Sequence, residues 1–443
     1  MLKVKWIPRQ GDTDIYLPKS MKSKDKLTSN KIYFRFGSWK RKLAVKFLEE
    51  LPKDVIKLAS DLKEDLFIPE DLTFNFKITN NTLQLGPVIL WIASNTGGRL
   101  ARRLPHLQTR IEQFVPEKGM ICLCAEDGID PEKKEIKGYY YCPQAETGEL
   151  KWKEANFFSP GAVFKRVRLS EDINNHLIKL TNGKMFNSYF FNKWEMWQWL
   201  SPDSILRKYL PYTKKADEIK HIKEMLSNYP CVYVKPARGS EGRSIIKMER
   251  DKNGFLITDD KQQKTFTQHL ETHPLIEKRL NSSKEYLVQQ GLPVNYDSSH
   301  VDFRIYMQKG ASKRWRSSGI TARISQKGSI ITNVRCMDYW LPGHEAFRQI
   351  YNLDKKKAAL LERKIVKICS RACRRAGRKG TYGDIAIDFV VDEDLHFWIL
   401  EMNMRNVYPV EDPALEAAVK GTPFLYAMSL DGFPVKRKKV KKN

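Results

Sequence analysis

One strand–turn–strand pattern constrains this chain more than any other feature. The segment 383–403 reads GDIAIDFVVDEDLHFWILEMN, in which two runs rich in β-branched and aromatic residues flank the acidic turn DED. If Val391 pairs with Trp398 across the turn, Asp388 lies directly opposite Glu401. Opposing residues have Cβ atoms roughly 5 Å apart, and like charges placed there destabilise a sheet unless something neutralises them.

Asn403 adds an amide oxygen to the two carboxylates. It follows Glu401 by two residues and therefore lies on the same face of the second strand. Such oxygens suit Mg²⁺, which takes one or two carboxylates together with substrate phosphates. The pattern favours a magnesium site at Asp388, Glu401 and Asn403. An ordinary amphipathic hairpin with a solvated acidic face is the alternative that the residues leave open.

Length and charge set wide limits on what the chain binds. With 443 residues and 41% hydrophobic content, it is long enough for two or three globular domains and too apolar to be disordered. No apolar run reaches the length of a membrane span and the N-terminus lacks a secretory pattern, so we expect a cytoplasmic protein without a membrane span. The net charge of +26, which includes a basic tail at 435–443, favours acidic partners such as nucleic acid, anionic polymers, membrane surfaces or phosphorylated ligands.

Domain organisation follows from shifts in pattern. Residues 1–84 alternate short apolar runs with polar loops, which predicts a small β-rich domain with a helix in the run 47–62, FLEELPKDVIKLASDL. Residues 85–184 combine a buried strand, a Gly-Gly pair, a helix over 100–114 and two further strands, which predicts a small α/β domain. Seven cysteines without a CxxC pair argue against a disulfide framework and against a zinc ribbon.

A glycine-bearing loop provides the second chemical signal. The stretch CVYVKPARGSEGRSII places Lys235 at the end of a strand and Gly239 and Gly242 in the loop after it, and Lys193 lies upstream on an aromatic-rich helix. Small residues let backbone N–H groups approach phosphate oxygens, and a lysine adds a point charge. The stretch therefore indicates a phosphate-binding loop, although not a Walker A loop, because no GK[ST] follows. An ordinary hairpin loop stays possible.

Two long strands, VDFRIYMQ and RWRSSGITARIS, carry arginines. Asp302 and Arg304 share one face of the first strand, and Arg323 lies on the second. Arginine suits bidentate recognition of phosphate or carboxylate. A structural ion pair between Asp302 and Arg304 explains these two residues equally well, so both interpretations stay open.

Taken in order, these signals resemble the ATP-grasp superfamily from about residue 187 onward. The most specific parts are VYVKPARGSEGRSII, DFRIYMQ and the pair IDFVVD and WILEMN; LGPVIL, FNSYFFNKWE, LPYT and YLVQQGL are similar to the bacterial endospore coat-associated (YheC/YheD-type) branch. The resemblance implies a mixed α+β and α/β fold class. In it, a pre-ATP-grasp α/β domain (85–184) precedes an ATP-grasp domain (185–434), whose two α+β subdomains, 185–292 and 293–434, clamp ATP between antiparallel sheets.

The resemblance also implies the residues of the site. The cofactor-binding residues would be Lys193, Lys235, Gly239, Ser240, Gly242, Gln290 and Leu292. The two lysines would contact the α- and β-phosphates, the loop would close over them, and backbone groups of the last two residues would hold the adenine. Asp388, Glu401 and Asn403 would bind one or two Mg²⁺ ions. Arg304 and Arg323 would be the catalytic residues, facing the γ-phosphate or an acyl-phosphate.

The function that the resemblance implies is an ATP- and Mg²⁺-dependent carboxylate–amine ligase that forms an acyl-phosphate. Its partners would be ATP, a peptide or polymer acceptor, and other spore coat proteins or anionic polymers, in the mother cell or the forming spore coat. The sequence departs from the branch in VRCMDYWLPGHE after Asn333 and in MRNVYPVEDP after Asn403. The first departure keeps open a non-catalytic ATP-binding coat assembly protein. The charge alone keeps open a binder of nucleic acid or anionic polymer.

Overall fold

The computed structural model arranges the chain around four β-sheets in sequence order. It describes residues 1–22, 27, 29–112, 118–144, 150–239, 242–292, 295–296, 299–329, 336–405 and 412–435. A closed barrel comes first, followed by a mixed sheet and then by two antiparallel sheets with helices against them. This architecture confirms the predicted α+β and α/β class. Within the described ranges, we find no helix that combines the length and the apolar character needed to cross a membrane.

The barrel occupies the first 86 residues. Its strands are β1 (Leu2–Ile7), β2 (Ile15–Pro18), β3 (Lys31–Phe36), β4 (Trp39–Leu48), β5 (Val55–Ala59), β6 (Thr73–Thr79) and β7 (Thr82–Gly86), which close in the order β1-β5-β2-β4-β3-β7-β6. The helix predicted over 47–62 is wrong. This run contains the end of β4, the strand β5 and a 3-10 turn at Ser60–Glu64. Pro52 interrupts it, and the apolar residues of β5 follow the two-residue period of a strand.

A mixed sheet follows the barrel. It contains β8 (Val88–Ser94), β9 (Met120–Asp130), β10 (Glu135–Tyr141), β11 (Trp152–Phe157), β12 (Ala162–Lys165) and β13 (Met185–Phe186), with helices α1 (Gly97–Glu112) and α2 (Glu171–Leu180). Strand β8 is central and parallel to β9 and β12, so both of its faces are buried. Val88 and Leu90 share one core with Phe36 and Leu85 of the barrel. The predicted boundary at residue 84 lies within β7, and barrel and sheet do not have separate cores.

The two antiparallel sheets complete the chain. The first contains β14 (Thr213–Lys215), β15 (Cys231–Pro236), β16 (Ile246–Asp251), β17 (Gly254–Asp259), β18 (Lys264–Thr267) and β19 (Tyr286–Gln290), with α4 (Ile219–Asn228) and α5 (Pro274–Leu280). Helix α3 (Lys193–Leu200) precedes this sheet in sequence but packs in the core of the second sheet through Met196 and Leu200. The second contains β20 (Asn295–Tyr296), β21 (Ser299–Lys309), β22 (Trp315–Ser325), β23 (Met337–Pro342), β24 (Asp384–Val391) and β25 (Phe397–Asn403), with α6 (Gly343–Ile350), α7 (Lys355–Ala376) and α8 (Pro413–Leu430). In the order β23-β22-β21-β24-β25, strands β21 and β24 are central neighbours.

The C-terminal helix α8 returns to the mixed sheet. Phe424 packs edge-on against Trp91 and Phe164, with ring centroids 5.4 and 5.6 Å apart. Just after the helix, the Asp431 carboxylate accepts a hydrogen bond from the backbone N–H of Val88 at 2.8 Å. The α/β unit is therefore built from two segments that are far apart in the sequence.

Asp431 is a buried carboxyl, with 1% of its surface exposed. Burial raises its pKa to about 7, although the bond from Val88 and the charges of Lys184 and Arg35 act in the opposite direction. The protonated form is therefore favoured in the folded protein. Its contribution to stability is complete below the ordinary value of 3.8 and is lost as the pH rises through 7.

Asp431→Asn should remove this pH dependence, because the amide cannot ionise. Between pH 5 and pH 8, the stability of the variant relative to wild type should rise by about 2.5 kcal/mol. Urea denaturation at the two pH values measures the difference, and Asp217→Asn, at an exposed position, is the matched control. A relative stability that is the same at both pH values would show that Asp431 is not protonated in the fold.

Candidate nucleotide and metal site

The hairpin of β24 and β25 brings two carboxylates face to face. Val391 pairs with Phe397, so the predicted pairing of Val391 with Trp398 is wrong by one residue. An irregularity next to Asp388 inserts one extra residue into β25 and shifts the register, so that Asp388 pairs with Glu401. The predicted juxtaposition is thus present, and a bulge produces it.

Asp388 is bound by arginine rather than left facing a like charge. Arg304 donates from Nε and Nη2 to its two oxygens at 2.6 and 2.7 Å, and Arg323 Nη2 lies 3.4 Å from Oδ2. Burial opposes the charge of Arg304, but the Asp388 carboxylate outweighs it and raises the pKa of the guanidinium. Arginine therefore supplies the neutralisation that the facing carboxylates require.

A second bidentate pair lies beside the first. Arg323 donates from Nε and Nη2 to Asp302 at 2.6 and 2.7 Å. Asp302 lies directly opposite Arg323 on β22, as Arg304 lies opposite Asp388 on β24. The Asp302–Arg304 pair within one strand, which the sequence left open, is therefore replaced by two cross-strand pairs. Residues directly opposite are closer than residues two apart along a strand.

Glu401 is held by a lysine and an amide. Lys193 Nζ lies 2.9 Å from Oε2, and Asn403 Nδ2 donates to Oε1 at 2.8 Å and to Asp388 Oδ2 at 3.3 Å. Burial opposes ionisation of Glu401, but the charge of Lys193 and these hydrogen bonds hold the pKa of the carboxyl well below its usual range. Asn403 thus bridges the two carboxylates.

Lys193 connects the hairpin with the glycine-bearing loop. It is the first residue of α3, which begins with a capping box formed by Asn192 and Glu195. Besides its ion pair with Glu401, its Nζ donates to the backbone carbonyl of Gly239 at 3.1 Å. One side chain therefore spans from the second antiparallel sheet to the loop that leaves the first.

Lys235 is buried at the end of β15. Its Nζ donates to Oε1 of Gln289 at 2.6 Å, and Gln289 in turn donates to the hydroxyl of Thr213 at 2.8 Å. Burial, and next the nearby charge of Lys193, lower the pKa of Lys235 to about 7. The sequence interpretation missed Gln289. The signal was the Gln-Gln pair in YLVQQ, whose two side chains must point to opposite faces.

The remaining predicted nucleotide residues surround these lysines. Gly239 and Gly242 lie in the loop after β15, and Gly242 has a φ of +67°, in the left-handed region that favours glycine. Ser240 lies outside the described residues. The N–H of Gln290 donates to the carbonyl of Tyr212 at 2.9 Å, so this backbone group is engaged within the sheet, and Leu292 follows just beyond β19. The adenine-binding role of these two residues stays a prediction.

A cavity of about 250 Å³ opens between the loop and the hairpin, lined among others by Lys193, Gly239, Glu401 and Asn403. Four cations meet three carboxylates at the site. The cations are Lys193, Lys235, Arg304 and Arg323, and the carboxylates are Asp302, Asp388 and Glu401. Because the pKa of Lys235 is about 7, the net charge of this set lies between zero and +1 and reaches +1 when Lys235 is protonated, which suits an anionic ligand.

The oxygen atoms of Glu401, Asn403 and Asp388 fit Mg²⁺ to different degrees. Within the described ranges, no three His, Cys, Asp or Glu residues group in a way that could hold a metal by themselves. Mg²⁺ binds through one or two carboxylates plus substrate phosphates, so Glu401 and the amide oxygen of Asn403 fit this need together with a nucleotide. Asp388 fits only if the metal ion replaces arginine as the partner of its carboxylate. The three predicted metal ligands are thus adjacent, and their role stays a prediction.

The chain is similar to several known proteins. Residues 182–430 match the family model of YheC/D-like ATP-grasp proteins. The chain is similar to the endospore coat-associated protein YheD of Bacillus subtilis strain 168, at 24% identity over 423 residues covering 90% of this chain and 88% of the relative. The endospore coat-associated protein YheC of the same strain is 24% identical over 319 residues, covering 69% and 83%. The VanG D-Ala:D-Ser ligase from Enterococcus faecalis is similar in structure, with a TM-score of 0.48 and 12% identity, covering 77% of this chain and 99% of the ligase.

Asp388→Asn should destabilise the protein, because it leaves two buried guanidinium groups without their shared carboxylate. Breaking a buried ion pair costs about 3–5 kcal/mol, whereas Glu224→Gln, which breaks an exposed pair with Lys214, should cost less than about 1 kcal/mol. Urea denaturation followed by tryptophan fluorescence measures both. An unchanged or higher stability of Asp388→Asn would mean that carboxylate repulsion dominates the site.

Proposed function

The chain belongs to the YheC/D-like ATP-grasp family, and from this premise we propose that it is an ATP- and Mg²⁺-dependent carboxylate–amine ligase. The observation that carries the proposal is the ion pair between Lys193 and Glu401, which joins the glycine-bearing loop to the acidic hairpin. An anionic ligand would replace Glu401 as the partner of Lys193, and the cation of that ligand would replace Lys193 as the partner of Glu401. Lys193 would turn to a phosphate, and Glu401 would become a metal ligand.

The lysines would bind the nucleotide. Lys193 is half-buried and near the cavity, so it can reach a phosphate by rotating away from Glu401. Lys235 is buried beside it and held in place by Gln289, which fixes the direction of its charge. Arg304 and Arg323 each bind a carboxylate through the Nε–Nη2 edge, so the Nη1 end is the part that would face a γ-phosphate or an acyl-phosphate.

Glu401 and Asn403 would hold Mg²⁺, with Asp388 as a third ligand once it exchanges partners with Arg304. When bound, Mg²⁺ supplies neutralisation of the phosphate charge. The residues of the chain orient the reactants and provide fixed charges, and no covalent nucleophile of the protein is required.

The reaction would proceed in two balanced steps. An oxygen of the substrate carboxylate forms a bond to the γ-phosphorus of ATP while the bond to the bridging oxygen breaks, which gives an acyl-phosphate and ADP. The nitrogen of a substrate amine then attacks the acyl carbon, inorganic phosphate leaves, and the amine loses a proton. The product is an amide. The guanidinium groups of Arg304 and Arg323 would stabilise the negative charge during both transfers.

The acceptor would be a peptide or other polymer associated with the spore coat. Support for the location comes from the names of the two Bacillus subtilis relatives, which describe them as endospore coat-associated. A second candidate is a non-catalytic protein that binds ATP and assembles the coat. The tight pairing of Asp388 with Arg304 favours this alternative, because it occupies a carboxylate that catalysis would need.

Lys235→Ala should weaken Mg-ATP binding by roughly tenfold to a hundredfold, since a charge-assisted hydrogen bond contributes about 1.5–3 kcal/mol. Isothermal titration calorimetry measures the affinity, and Lys214→Ala, which removes a partly exposed lysine paired with Glu224, is the matched control. Equal affinities for Lys235→Ala and wild type would remove Lys235 from the nucleotide site.

The ligase itself is tested in the same preparations. Wild type is incubated with Mg-ATP and with amino acids, peptides and coat extracts, and mass spectrometry detects new amide bonds alongside ADP. Amide formation that is lost in Lys235→Ala supports the ligase. ATP binding without any amide product supports the assembly protein instead.

Affinity for Mg-ATP should also fall as the pH rises. With a pKa of about 7 in the empty site, Lys235 is mostly neutral at pH 8 and must take up a proton to meet a phosphate. Above pH 7 the affinity should drop by up to about tenfold per pH unit. Calorimetry in two buffers of different ionisation enthalpy counts the protons, and Lys235→Arg, which stays charged, should flatten the profile. A proton uptake of zero at pH 8 would contradict the assigned ionisation.

A further inference from the structure

A cluster of arginines lies in and near the cavity and plays no part in the site described so far. Its members come from the α/β unit, the loop after β15 and the end of β25. They are Arg99, Arg103, Arg166, Arg168, Arg238 and Arg405. Three of them, Arg168, Arg238 and Arg405, line the same cavity as Lys193 and Glu401. This set is called the arginine cluster below.

The fold holds several of these side chains in place. Arg168 Nη2 donates to the carbonyl of Phe190 at 3.0 Å, and Arg103 Nη1 donates to the carbonyl of Ala93 at 3.3 Å. Arg166 follows β12 and is itself buried, with its N–H bound to the carbonyl of Ile92. The cluster is therefore a constructed surface, in which arginine heads from separate elements are brought to one opening.

The positive charges lie close enough to act on one another. Burial, followed by the charges of Arg166 and Arg99, lowers the pKa of Arg405. Burial and then the charges of Arg405 and Arg166 lower the pKa of Arg103 in the same way. For Arg168, the opposing charge after burial is that of Arg238. Like charges held this close are unfavourable by themselves, which is expected when a ligand of opposite sign completes the arrangement.

Carboxylates near the cluster are already used elsewhere. Glu126 accepts from the Asn95 side chain and from the N–H of Ser170, and Asp127 accepts from the N–H of Gly97. Glu195 belongs to the cap of α3. In the described part of the chain, none of Arg99, Arg103, Arg168, Arg238 and Arg405 lies within ion-pair distance of a carboxylate.

We propose that the arginine cluster binds the carboxylates of an acidic polypeptide and delivers one of them to the cavity at Lys193 and Glu401. This inference rests on the proposed ligase function, because a ligase needs a carboxylate next to the γ-phosphate. Guanidinium groups match carboxylates through two parallel hydrogen bonds. Three arginines that line one cavity, with further arginines near them, suit a substrate with repeated carboxylates, such as a glutamate-rich segment.

The test uses the full-length protein and a fluorescent glutamate decapeptide, followed by fluorescence anisotropy. Arg168→Gln/Arg405→Gln should weaken binding by roughly tenfold or more, because two charge-assisted contacts are lost. Arg314→Gln/Arg316→Gln removes the same charge from exposed positions near the turn between β21 and β22, and it should change binding less than about twofold. A glutamine decapeptide and an oligothymidylate of matched charge are the alternative ligands.

Each outcome decides the proposal. Selective weakening in the first double variant, with preference for the glutamate peptide, supports it. Equal weakening in both double variants, stronger binding of the oligothymidylate, or no binding of the glutamate peptide overturns it. Mg-ATP binding of the wild-type protein is measured separately. If wild type binds the peptide but not Mg-ATP, the acidic-peptide surface stands and the ligase fails. If it binds Mg-ATP but not the peptide, the acidic-peptide surface fails, and the amide assay alone decides whether the protein is a ligase.

Discussion

The site depends on one buried carboxylate that is shared by two arginines. Asp388 binds Arg304 through two hydrogen bonds and also contacts Arg323, which in turn binds Asp302. These four residues tie together β22, β21 and β24, the strands on which the hairpin rests. Burying charges is unfavourable unless each finds a partner, so this network also specifies the register of the three strands. A slip of β24 by one residue would separate Arg304 from Asp388, and a slip of β22 would separate Arg323 from Asp302.

The charged groups of the site are paired with one another. Lys193 neutralises Glu401, and Asn403 donates to both facing carboxylates. Binding of an anion would therefore be an exchange of partners rather than the filling of a charged void. When a phosphate binds Lys193, the exchange would release the carboxylate of Glu401. The proposed binding of nucleotide would in this way prepare the hairpin for a metal ion, within residues that are already in contact.

Much of the local pattern was predictable because it depends on alternation and on neighbours in sequence. The two strands of the hairpin, the strand before the glycine-bearing loop and the helix α7, with Cys369 and Cys373 buried, follow from their periodicity. The bulge in β25 was not predictable, since an extra residue in one strand changes no composition. The helix predicted over 47–62 was wrong because the apolar residues of this run fit both a helical and a strand period, and tertiary packing selects the strand.

Contacts between distant segments could not be predicted from the sequence. Nothing local indicates that Asp431 bonds to Val88, or that α8 supplies part of the core of the mixed sheet. The partners of Arg304 and Arg323 were open for the same reason, since the choice between Asp302 and Asp388 depends on strand order. Local patterns identified the chemical groups, whereas topology decided which of them meet.

The packing of α8 on the mixed sheet also bears on the geometry of the cavity. Arg405 lies just after β25, and α8 begins at Pro413. Helix α8 packs on the mixed sheet, whose strand β12 is followed by Arg166 and Arg168. Residues at the end of the hairpin and residues after β12 thus line one cavity, and α8 packs on the sheet that contains β12. The packing of Phe424 against Trp91 therefore supports the geometry of the arginine cluster, although it lies in the core of another unit. Precise placement of reactive groups requires such support from rigid elements, because a small displacement at a site is costly to reactivity.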